Sequence, residues 1–289
     1  MRLLAFQDEA APAGRLAKAL GVELGLIAAH ELPDGETLPT VPGAERTTAI
    51  YRSLDRPNPK LMPLLLAADA ARRAGAERLV LVCPYLCYLR QDAVFAPGQP
   101  VSRDVICALL GRAFDRVVTV DAHLHRTKDL SAVMGIRADD LSAAGSLADA
   151  LAGEAPVVVG PDRESAPWAQ RIADRLGGEL VLFDKERDGD RQVRLTAPDL
   201  SVVKGRRGVI VDDVASSGTT ILAATEQLKR AGAASIEVGV VHALFGPEVE
   251  ARLKAAGVAR VISTDSVAHS TNAAPLAGLL AGALEEELA

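Results

Sequence analysis

The sequence predicts an α/β fold made of two similar halves, each a mainly parallel sheet flanked by helices. Short apolar segments alternate with amphipathic segments along the 289 residues, which is typical of parallel strands connected by helices. Hydrophobic residues make up 49% of the chain and aromatic residues only 3%, so Leu, Val, Ala and Ile must form the core. A chain of this length can bury two separate cores.

A loose internal repeat supports the division into two halves. Three pairs of segments resemble each other in the same order along the chain: 3–21 and 157–177, 71–85 and 228–242, and 116–121 and 260–265. Any one pair is weak, because helix–glycine–strand units look alike, but three collinear pairs indicate a repeat. We therefore predict a first half over residues 1–143 and a second half over residues 144–289.

Charge and cysteine content exclude several classes of protein. The net charge of −6 argues against a basic surface for nucleic acids. The chain has no apolar run near the ~18 residues of a membrane span, and MRLLAFQDEA carries acid too early for a signal peptide. The three cysteines lack CxxC spacing, which indicates reduced thiols rather than a metal site. We expect a cytoplasmic protein with no nucleic-acid or membrane partner.

The segment VIVDDVASSGTT, residues 209–220, predicts a strand, a tight loop and a helix. Its first three residues are a β-branched run suited to a strand that is buried on both faces. Thr219 or Thr220 can cap the helix, which would bury one face and end before Gly232. That face is formed by Ile221, Ala224 and Leu228.

The same segment predicts an anion site. In a parallel sheet the loop lies at the carboxyl end of the strand, where ligands bind. Backbone N–H groups and hydroxyls of residues 216–219 would face an anion at the helix N-terminus. Asp212 and Asp213 would repel a phosphate and suit ribose hydroxyls or a divalent cation.

Two segments of the first half carry further polar groups. CPYLCYLRQDAVFAPGQPVS contains Arg90 and Gln91, whose planar donors suit a phosphate and a base edge. Taken alone, this segment favours a surface turn with an ordinary ion pair. TVDAHLHR ends a predicted strand with Asp121, His123 and His125. His-x-His on an extended chain places both rings on one face, a spacing that metal sites use, so a metal role there stays open.

Three further segments contain charged residues that are candidates for the functional site. Asp162 follows a predicted strand, as Asp8 does in the first half. The segment 184–191, DKERDGDR, predicts a mobile excursion between strands: either a solvated hairpin or a lid that carries Lys185 and Arg187 over an anionic substrate. LPDGETL predicts a hairpin tip around Asp34.

Together these segments resemble the ribose-phosphate pyrophosphokinase family over almost the whole chain. VIVDDVASSGTT is similar to the phosphoribosyl-diphosphate fingerprint, which type I phosphoribosyltransferases share. PNPKLMPLLLAADAARRAGAERLVLVCPYLCYLRQD and VSRDVICALLGRAFDRVVTVDAHLH resemble the synthetases only. The resemblance implies two phosphoribosyltransferase-like halves and transfer of the diphosphoryl group of ATP to O1 of ribose 5-phosphate, with Mg²⁺. A phosphoribosyltransferase and a non-catalytic regulatory homologue are the alternatives.

The resemblance also implies a role for each candidate residue. ATP would be bound by Asp34, Glu36, Arg90, Gln91 and His123. Ribose 5-phosphate would be bound by Asp212, Asp213, Ser216, Ser217, Gly218, Thr219 and Thr220. The metal would lie at His123 and Asp162, and the catalytic pair would be Lys185 and Arg187. A neighbouring subunit would offer Asp34 and Glu36 to the adenine, which implies a homo-oligomer with shared nucleotide sites. Leu32 stands where the family usually has Phe, which bears on the choice of nucleotide.

Overall fold

The chain divides into two compact units. The computed structural model describes residues 1–124, 129–162, 165–188, 192–196 and 199–288, with the backbone alone at 184–188 and 192–196. One unit comprises Met1–Leu141 together with Leu276–Ala289, and the other comprises Ser142–Pro275. The division lies two residues from the predicted boundary between 143 and 144. Residues 276–288 differ from the prediction, because they pack with the first unit.

The first unit contains a seven-stranded sheet in the order β3-β2-β1-β4-β5-β6-β7. Its strands are β1 (Arg2–Phe6), β2 (Leu24–Glu31), β3 (Thr37–Thr40), β4 (Thr47–Tyr51), β5 (Arg78–Val82), β6 (Arg116–Val120) and β7 (Arg137–Leu141). All neighbours are parallel except β2 and β3, which form an antiparallel hairpin. Its first four helices are α1 (Ala10–Leu20), α2 (Pro57–Arg73), α3 (Ser102–Ala113) and α4 (Leu130–Met134).

The second unit contains a six-stranded parallel sheet and a separate two-stranded ribbon. The sheet consists of β8 (Val157–Gly160), β9 (Glu179–Leu182), β12 (Arg207–Ala215), β13 (Ser235–Ala243), β14 (Arg260–Thr264) and β15 (Asn272–Ala274). The ribbon pairs β10 (Asp184–Asp188) with β11 (Gln192–Thr196) in antiparallel register. The helices of this unit are α5 (Ala144–Ala150), α6 (Ala166–Leu176), α7 (Thr219–Arg230) and α8 (Pro247–Ala256).

The two sheets have the same topology, which confirms the predicted fold class. The order β2-β1-β4-β5-β6-β7 in the first unit corresponds to β9-β8-β12-β13-β14-β15 in the second. The three repeated segments fall on equivalent elements of this order: β1 with α1 and β8 with α6, the end of α2 with β5 and the end of α7 with β13, and β6 and β14.

Central strands are buried on both faces, as their apolar runs predict. Val209, Ile210 and Val211 are completely buried, and Leu79–Val82 on β5 are buried equally. The predicted inner face of α7, formed by Ile221, Ala224 and Leu228, is buried in the second core. Burial of each such aliphatic side chain contributes roughly 1.5–3 kcal/mol, so these segments specify both their strand or helix and its place in the core.

The last helix, α9 (Ala277–Leu284), and the 3₁₀ turn Glu285–Leu288 return to the first unit. Arg116 is 1% exposed at the amino end of β6; its guanidinium donates to Glu287 Oε1 at 3.0 Å and to the Ala283 carbonyl at 2.9 Å. Arg78 holds both oxygens of Glu287 at 2.6 and 2.7 Å. These contacts attach the tail to the amino ends of β5 and β6.

The three cysteines are free and buried, in agreement with the predicted reduced thiols. Burial raises the pKa of Cys87 to about 12 and that of Cys107 to about 11, and it raises the pKa of Cys83 well above its ordinary value. At neutral pH all three are protonated thiols with low reactivity. Within the described ranges, no helix has both the length and the apolar character needed to cross a membrane.

Candidate functional site

The second unit has a topological switch point between β8 and β12. From β8 the chain continues to β9 on one side, whereas β12 lies on the other side of β8. Ligands of open parallel sheets bind outside the carboxyl ends of the strands at such a point. Asp162 follows β8, and residues 212–220 cover the end of β12 and the start of α7. The structure therefore brings these predicted residues to one edge of the sheet.

The loop after β12 turns on Gly218. Its φ of +70° is left-handed, and a Cβ atom there would lie 2.5 Å from Val249 Cγ1. The predicted cap at Thr219 or Thr220 is wrong: Gly218 is the N-cap, no side chain caps the helix, and both threonines are in its first turn. The left-handed turn explains this, because it moves the start of the helix to the residue after Gly218. N–H groups of a first helical turn have no intrahelical acceptor and suit an anion.

Hydroxyl groups line the same loop. Ser217 Oγ lies 3.0 Å from Thr219 Oγ1 and accepts the Thr219 N–H at 3.4 Å. Ser216 and Ser217 are exposed. Because the glycine and the serines are small, an anion can approach the backbone closely.

The two adjacent carboxylates are fixed by the strand that carries them. β12 extends to Ala215, four residues beyond the predicted apolar run. Asp212 Oδ1 accepts the Asp213 N–H at 3.0 Å, and Asp213 Oδ1 accepts the Val214 N–H at 2.7 Å. Asp162 Oδ1 similarly accepts the Ser165 N–H at 3.0 Å. Backbone bonds therefore orient three carboxylates around the end of this sheet.

Lys185 and Arg187 lie on β10, opposite Leu195 and Val193 of β11. The backbone of 184–188 is thus one strand of an antiparallel ribbon that is inserted between β9 and β12. Positions 189–191, which the segment DKERDGDR also contains, lie outside the described residues, as do the side chains of the ribbon. The predicted lid stays a prediction.

In the first unit, Arg90, Gln91 and His123 follow the adjacent strands β5 and β6. Gln91 donates its N–H to the Tyr88 carbonyl at 3.2 Å, and its side-chain oxygen accepts a short hydrogen bond from Ser102 Oγ. Arg90 and Gln91 are exposed, and His123 is half-buried. His125 lies outside the described residues, so the His-x-His spacing stays a prediction.

Asp34 and Glu36 lie at the exposed tip of the β2–β3 hairpin, as predicted. The Leu32 N–H donates to the Glu36 carbonyl at 2.7 Å, and the Glu36 N–H donates to Asp34 Oδ1 at 3.1 Å. In the sheet, β1 and β4 separate β2 from β5, a distance of about 14 Å at ~4.8 Å per strand. The tip and the Arg90–Gln91 loop thus follow strands that are not neighbours in the sheet.

A buried ion network closes the equivalent switch point of the first unit, between β1 and β4. Arg52 donates to Asp8 at 2.6 Å and to Glu9 at 3.2 Å, and the Ser53 N–H donates to Glu9 at 2.8 Å. Lys60 lies 3.5 Å from Glu9, and burial raises the pKa of Glu9. The sequence contained a signal for this network, since charged residues directly follow two apolar strands.

No group of three or more His, Cys, Asp or Glu side chains is placed to hold a metal ion in the described part of the chain. His123 belongs to the first unit and Asp162 to the second. Mg²⁺ is commonly held by one or two carboxylates, substrate phosphates and water rather than by a protein cage. The partly exposed carboxylates at the ends of β8 and β12 fit that mode of binding.

Known proteins match both units. Residues 1–113 match the N-terminal domain of ribose phosphate pyrophosphokinase, and residues 135–276 match the phosphoribosyl transferase domain. A ribose-phosphate pyrophosphokinase of Methanopyrus kandleri is 33% identical over 277 residues, covering 94% of both chains. Another, from Halobacterium salinarum, is 32% identical over 98% of this chain and 100% of its own.

A solved structure shares the whole architecture. The phosphoribosylpyrophosphate synthetase from Mycobacterium smegmatis matches 100% of this chain and 99% of its own chain. The TM-score is 0.83, and the sequence identity is 26%. The likeness therefore includes both units.

Proposed function

Because the chain belongs to the ribose-phosphate pyrophosphokinase family, we propose that it transfers the diphosphoryl group of ATP to O1 of ribose 5-phosphate, forming 5-phosphoribosyl 1-diphosphate and AMP. The observation that carries the proposal is the edge of the second sheet, where Asp212 and Asp213 precede a small-residue loop and a helix N-terminus. This combination suits a sugar phosphate, because acidic and anion-binding groups lie side by side.

In this proposal, the second unit binds ribose 5-phosphate. The 5-phosphate accepts hydrogen bonds from N–H groups and hydroxyls of residues 216–220. Asp212 and Asp213 accept hydrogen bonds from the ribose hydroxyls, because an ionised carboxylate only accepts and each neutral hydroxyl has one proton to donate. The left-handed turn at Gly218 supports this assignment, since it leads the chain directly from the hydroxyl-rich loop into the N-terminus of α7.

ATP is assigned to the first unit, at Arg90, Gln91 and His123. Arg90 is an exposed guanidinium beside an exposed amide, and this pair can contact phosphate oxygens and a base edge. Mg²⁺ would be held by His123, Asp162 and the ATP phosphates, and it would neutralise phosphate charge when bound. Lys185 and Arg187 would supply further positive charge to the transferred group.

The chemistry requires alignment and charge neutralisation more than covalent catalysis. O1 of the sugar attacks the β-phosphorus of ATP, the bond from that phosphorus to the α,β-bridging oxygen breaks, and AMP leaves with the bonding electrons. The O1 proton passes to solvent. The chain's cationic groups stabilise the negative charge that develops on the phosphoryl oxygens.

The direct test is incubation with γ-labelled ATP, Mg²⁺ and ribose 5-phosphate. We expect AMP and a labelled sugar diphosphate in equal amounts. Label in inorganic phosphate with ADP would contradict the proposal. A phosphoribosyltransferase would instead consume 5-phosphoribosyl 1-diphosphate with a base, and a regulatory homologue would form neither product.

Replacing Gly218 with Ala is expected to weaken ribose 5-phosphate binding about tenfold, because the loop would shift to relieve the roughly 1–2 kcal/mol of strain that an L-residue has at a left-handed φ, and binding would have to restore its present course. The new Cβ would also press on Val249. Isothermal calorimetry measures the loss. Gly205→Ala is the matched control: its φ is +71°, but nothing lies within 4 Å of the added atom. Equal binding by the two variants and the wild type would remove the loop from the phosphate site.

We also propose a homo-oligomer with shared nucleotide sites. The position of the hairpin tip supports sharing, because it is exposed and follows β2, which is not a neighbour of β5 in the sheet. Four exposed apolar side chains support association, in pairs four residues apart on α2 and α3: Met62 and Leu66, and Val105 and Leu109. Adjacent exposed apolar residues of this kind are typical of interaction surfaces.

Mixing Glu36→Ala protein with Lys185→Ala protein should therefore restore part of the activity. Each variant alone is expected to be inactive, but a mixed oligomer contains some sites in which neither substitution falls. Subunit exchange is followed by native mass spectrometry while AMP formation is measured. Confirmed exchange with no return of activity would contradict shared sites.

A further inference from the structure

The chain leaves β6 in a conformation that residues with a Cβ atom rarely adopt. Asp121, the first residue after the strand, has a φ of +38°. This value lies near the left-handed region, which is unfavourable for an L-residue other than Gly or, to a lesser degree, Asn and Asp. Such a residue persists where its surroundings hold it in place. The contacts of the next backbone groups are therefore informative.

The end of β7 supplies two hydrogen bonds that hold this turn. The Asp121 N–H donates to the Leu141 carbonyl at 2.8 Å, and the Ala122 N–H donates to Asp140 Oδ1 at 2.8 Å. The first bond is available to any sequence, because its acceptor is a backbone group. The second depends on the side chain at position 140. That side chain therefore helps to hold the backbone that leads into His123.

Packing alone does not account for a carboxylate at this position. Although Asp140 is exposed, nearby protein atoms desolvate its carboxyl group and raise its pKa to about 7. The negative charge of Asp121 raises this pKa further, and the hydrogen bond from Ala122 lowers it. A neutral or apolar side chain would avoid the desolvation, but an apolar one would leave the Ala122 N–H without this acceptor.

We propose that Asp140 is a positioning residue for His123. The inference rests on the proposed function, in which His123 lies beside the ATP phosphates, and it adds a residue that touches neither substrate. Phosphoryl transfer depends on alignment, and a displacement of about 1 Å can lower its rate ~10²-fold. Without an acceptor at position 140, the turn at Asp121 loses one of the two bonds that β7 supplies, and His123 shifts from its place.

The test compares Asp140→Ala with Asp140→Asn. We expect the Ala variant to lower kcat/KM for ATP by ~10- to 100-fold, with KM for ribose 5-phosphate unchanged. The Asn variant, whose amide oxygen can accept the same N–H, should keep most of the activity. Asp139→Asn, on the same strand as Asp140, is the control: it weakens the 2.7 Å bond that Asp139 accepts from Arg116 of β6, so it should lower Tm without an ATP-specific effect.

Two kinetic results would overturn the proposal. If the Asn variant loses as much activity as the Ala variant, the charge of Asp140 matters rather than its role as an acceptor. If the Ala variant keeps wild-type kinetics for ATP, position 140 does not act on the reaction.

Hydrogen exchange at the Ala122 amide separates this proposal from the proposed function. We expect faster exchange in Asp140→Ala and wild-type exchange in Asp140→Asn, whether or not the chain forms sugar diphosphate. If the three proteins show this pattern of exchange but the wild type forms no sugar diphosphate, the synthetase activity is refuted and the positioning of the loop by Asp140 still holds. Equal exchange in all three proteins would refute the positioning.

Discussion

Replacing Lys185 with Ala is expected to lower turnover by at least ~10³-fold, because a positioned cation contributes roughly 10³–10⁵ in rate to phosphoryl transfer, by analogy with arginine fingers. Binding of ribose 5-phosphate should change little, since the sugar phosphate is assigned to residues 212–220 instead. Lys185 lies on the ribbon that is inserted directly before β12. The measurement is kcat from AMP release, with Kd for ribose 5-phosphate from calorimetry.

Lys204→Ala is the matched control for this prediction. Lys204 is an exposed lysine of the same unit, at the opposite end of β12 from Asp212 and Asp213. Its removal changes the net charge equally and should leave turnover intact. A Lys185→Ala variant that retains more than about a tenth of wild-type turnover would remove Lys185 from the mechanism, since that loss is far below the contribution of a catalytic cation.

Replacing Arg116 with Met is expected to lower the free energy of unfolding by about 3–5 kcal/mol, the usual effect of removing one partner from a buried ion pair. Arg116 is 1% exposed and holds Asp139, Glu287 and the Ala283 carbonyl. Because Met fills much of the same volume, the decrease in the free energy of unfolding reports on the loss of the positive charge of Arg116. Urea unfolding followed by circular dichroism measures it, and the fluorescence of Trp168 reports separately on the second unit.

Arg137→Met tests the same tail at a half-exposed position. Arg137 lies 2.7 Å from Glu286, with about half of each side chain exposed, so its loss should cost under about 1 kcal/mol. Equal destabilisation by the two variants would contradict the buried clamp at Arg116.

Acid should release the same contacts. Arg78, with Arg116, holds the pKa of Glu287 below its ordinary value of 4.5. Because the pKa of Glu287 is lower in the folded than in the unfolded state, its ionised carboxylate stabilises the fold fully at pH values above the unfolded-state pKa. This stabilisation is lost as the pH falls through the folded-state pKa. The Arg116→Met variant should therefore lose less stability below pH 4.5 than the wild type loses.

Fold class, repeat and strand ends could be predicted from sequence because they depend on local patterns. The apolar run at Val209–Val211 identifies a buried strand wherever it occurs, and the same holds for the inner face of α7. The hairpin at Asp34 follows from its turn residues. Each of these features is specified within about ten residues of chain, which is the range over which periodicity and turn chemistry act.

The missed features depend on groups that are distant in sequence or on choices among similar residues. Four small residues directly precede α7, and only the left-handed φ of Gly218 and its contact with Val249 show which of them turns the chain. The pair Arg116–Glu287 is separated by 171 residues, so no local pattern assigns α9 to the first unit. The bond from Ala122 to Asp140 also joins two strands, and an Asp at a strand end has no distinctive sequence signal.

The return of α9 to the first unit has a consequence for biosynthesis. A ribosome completes Met1–Leu141, then all of Ser142–Pro275, and only afterwards the helix that carries Ala283 and the turn that carries Glu287. At 5–20 residues per second the intervening unit takes roughly 10 s to emerge. Throughout that interval Arg116 lacks its carboxylate partner on the tail, and the surface of α1 that α9 covers is open to water. The first unit, although it is translated first, can therefore complete its native contacts only after the whole second unit has been made.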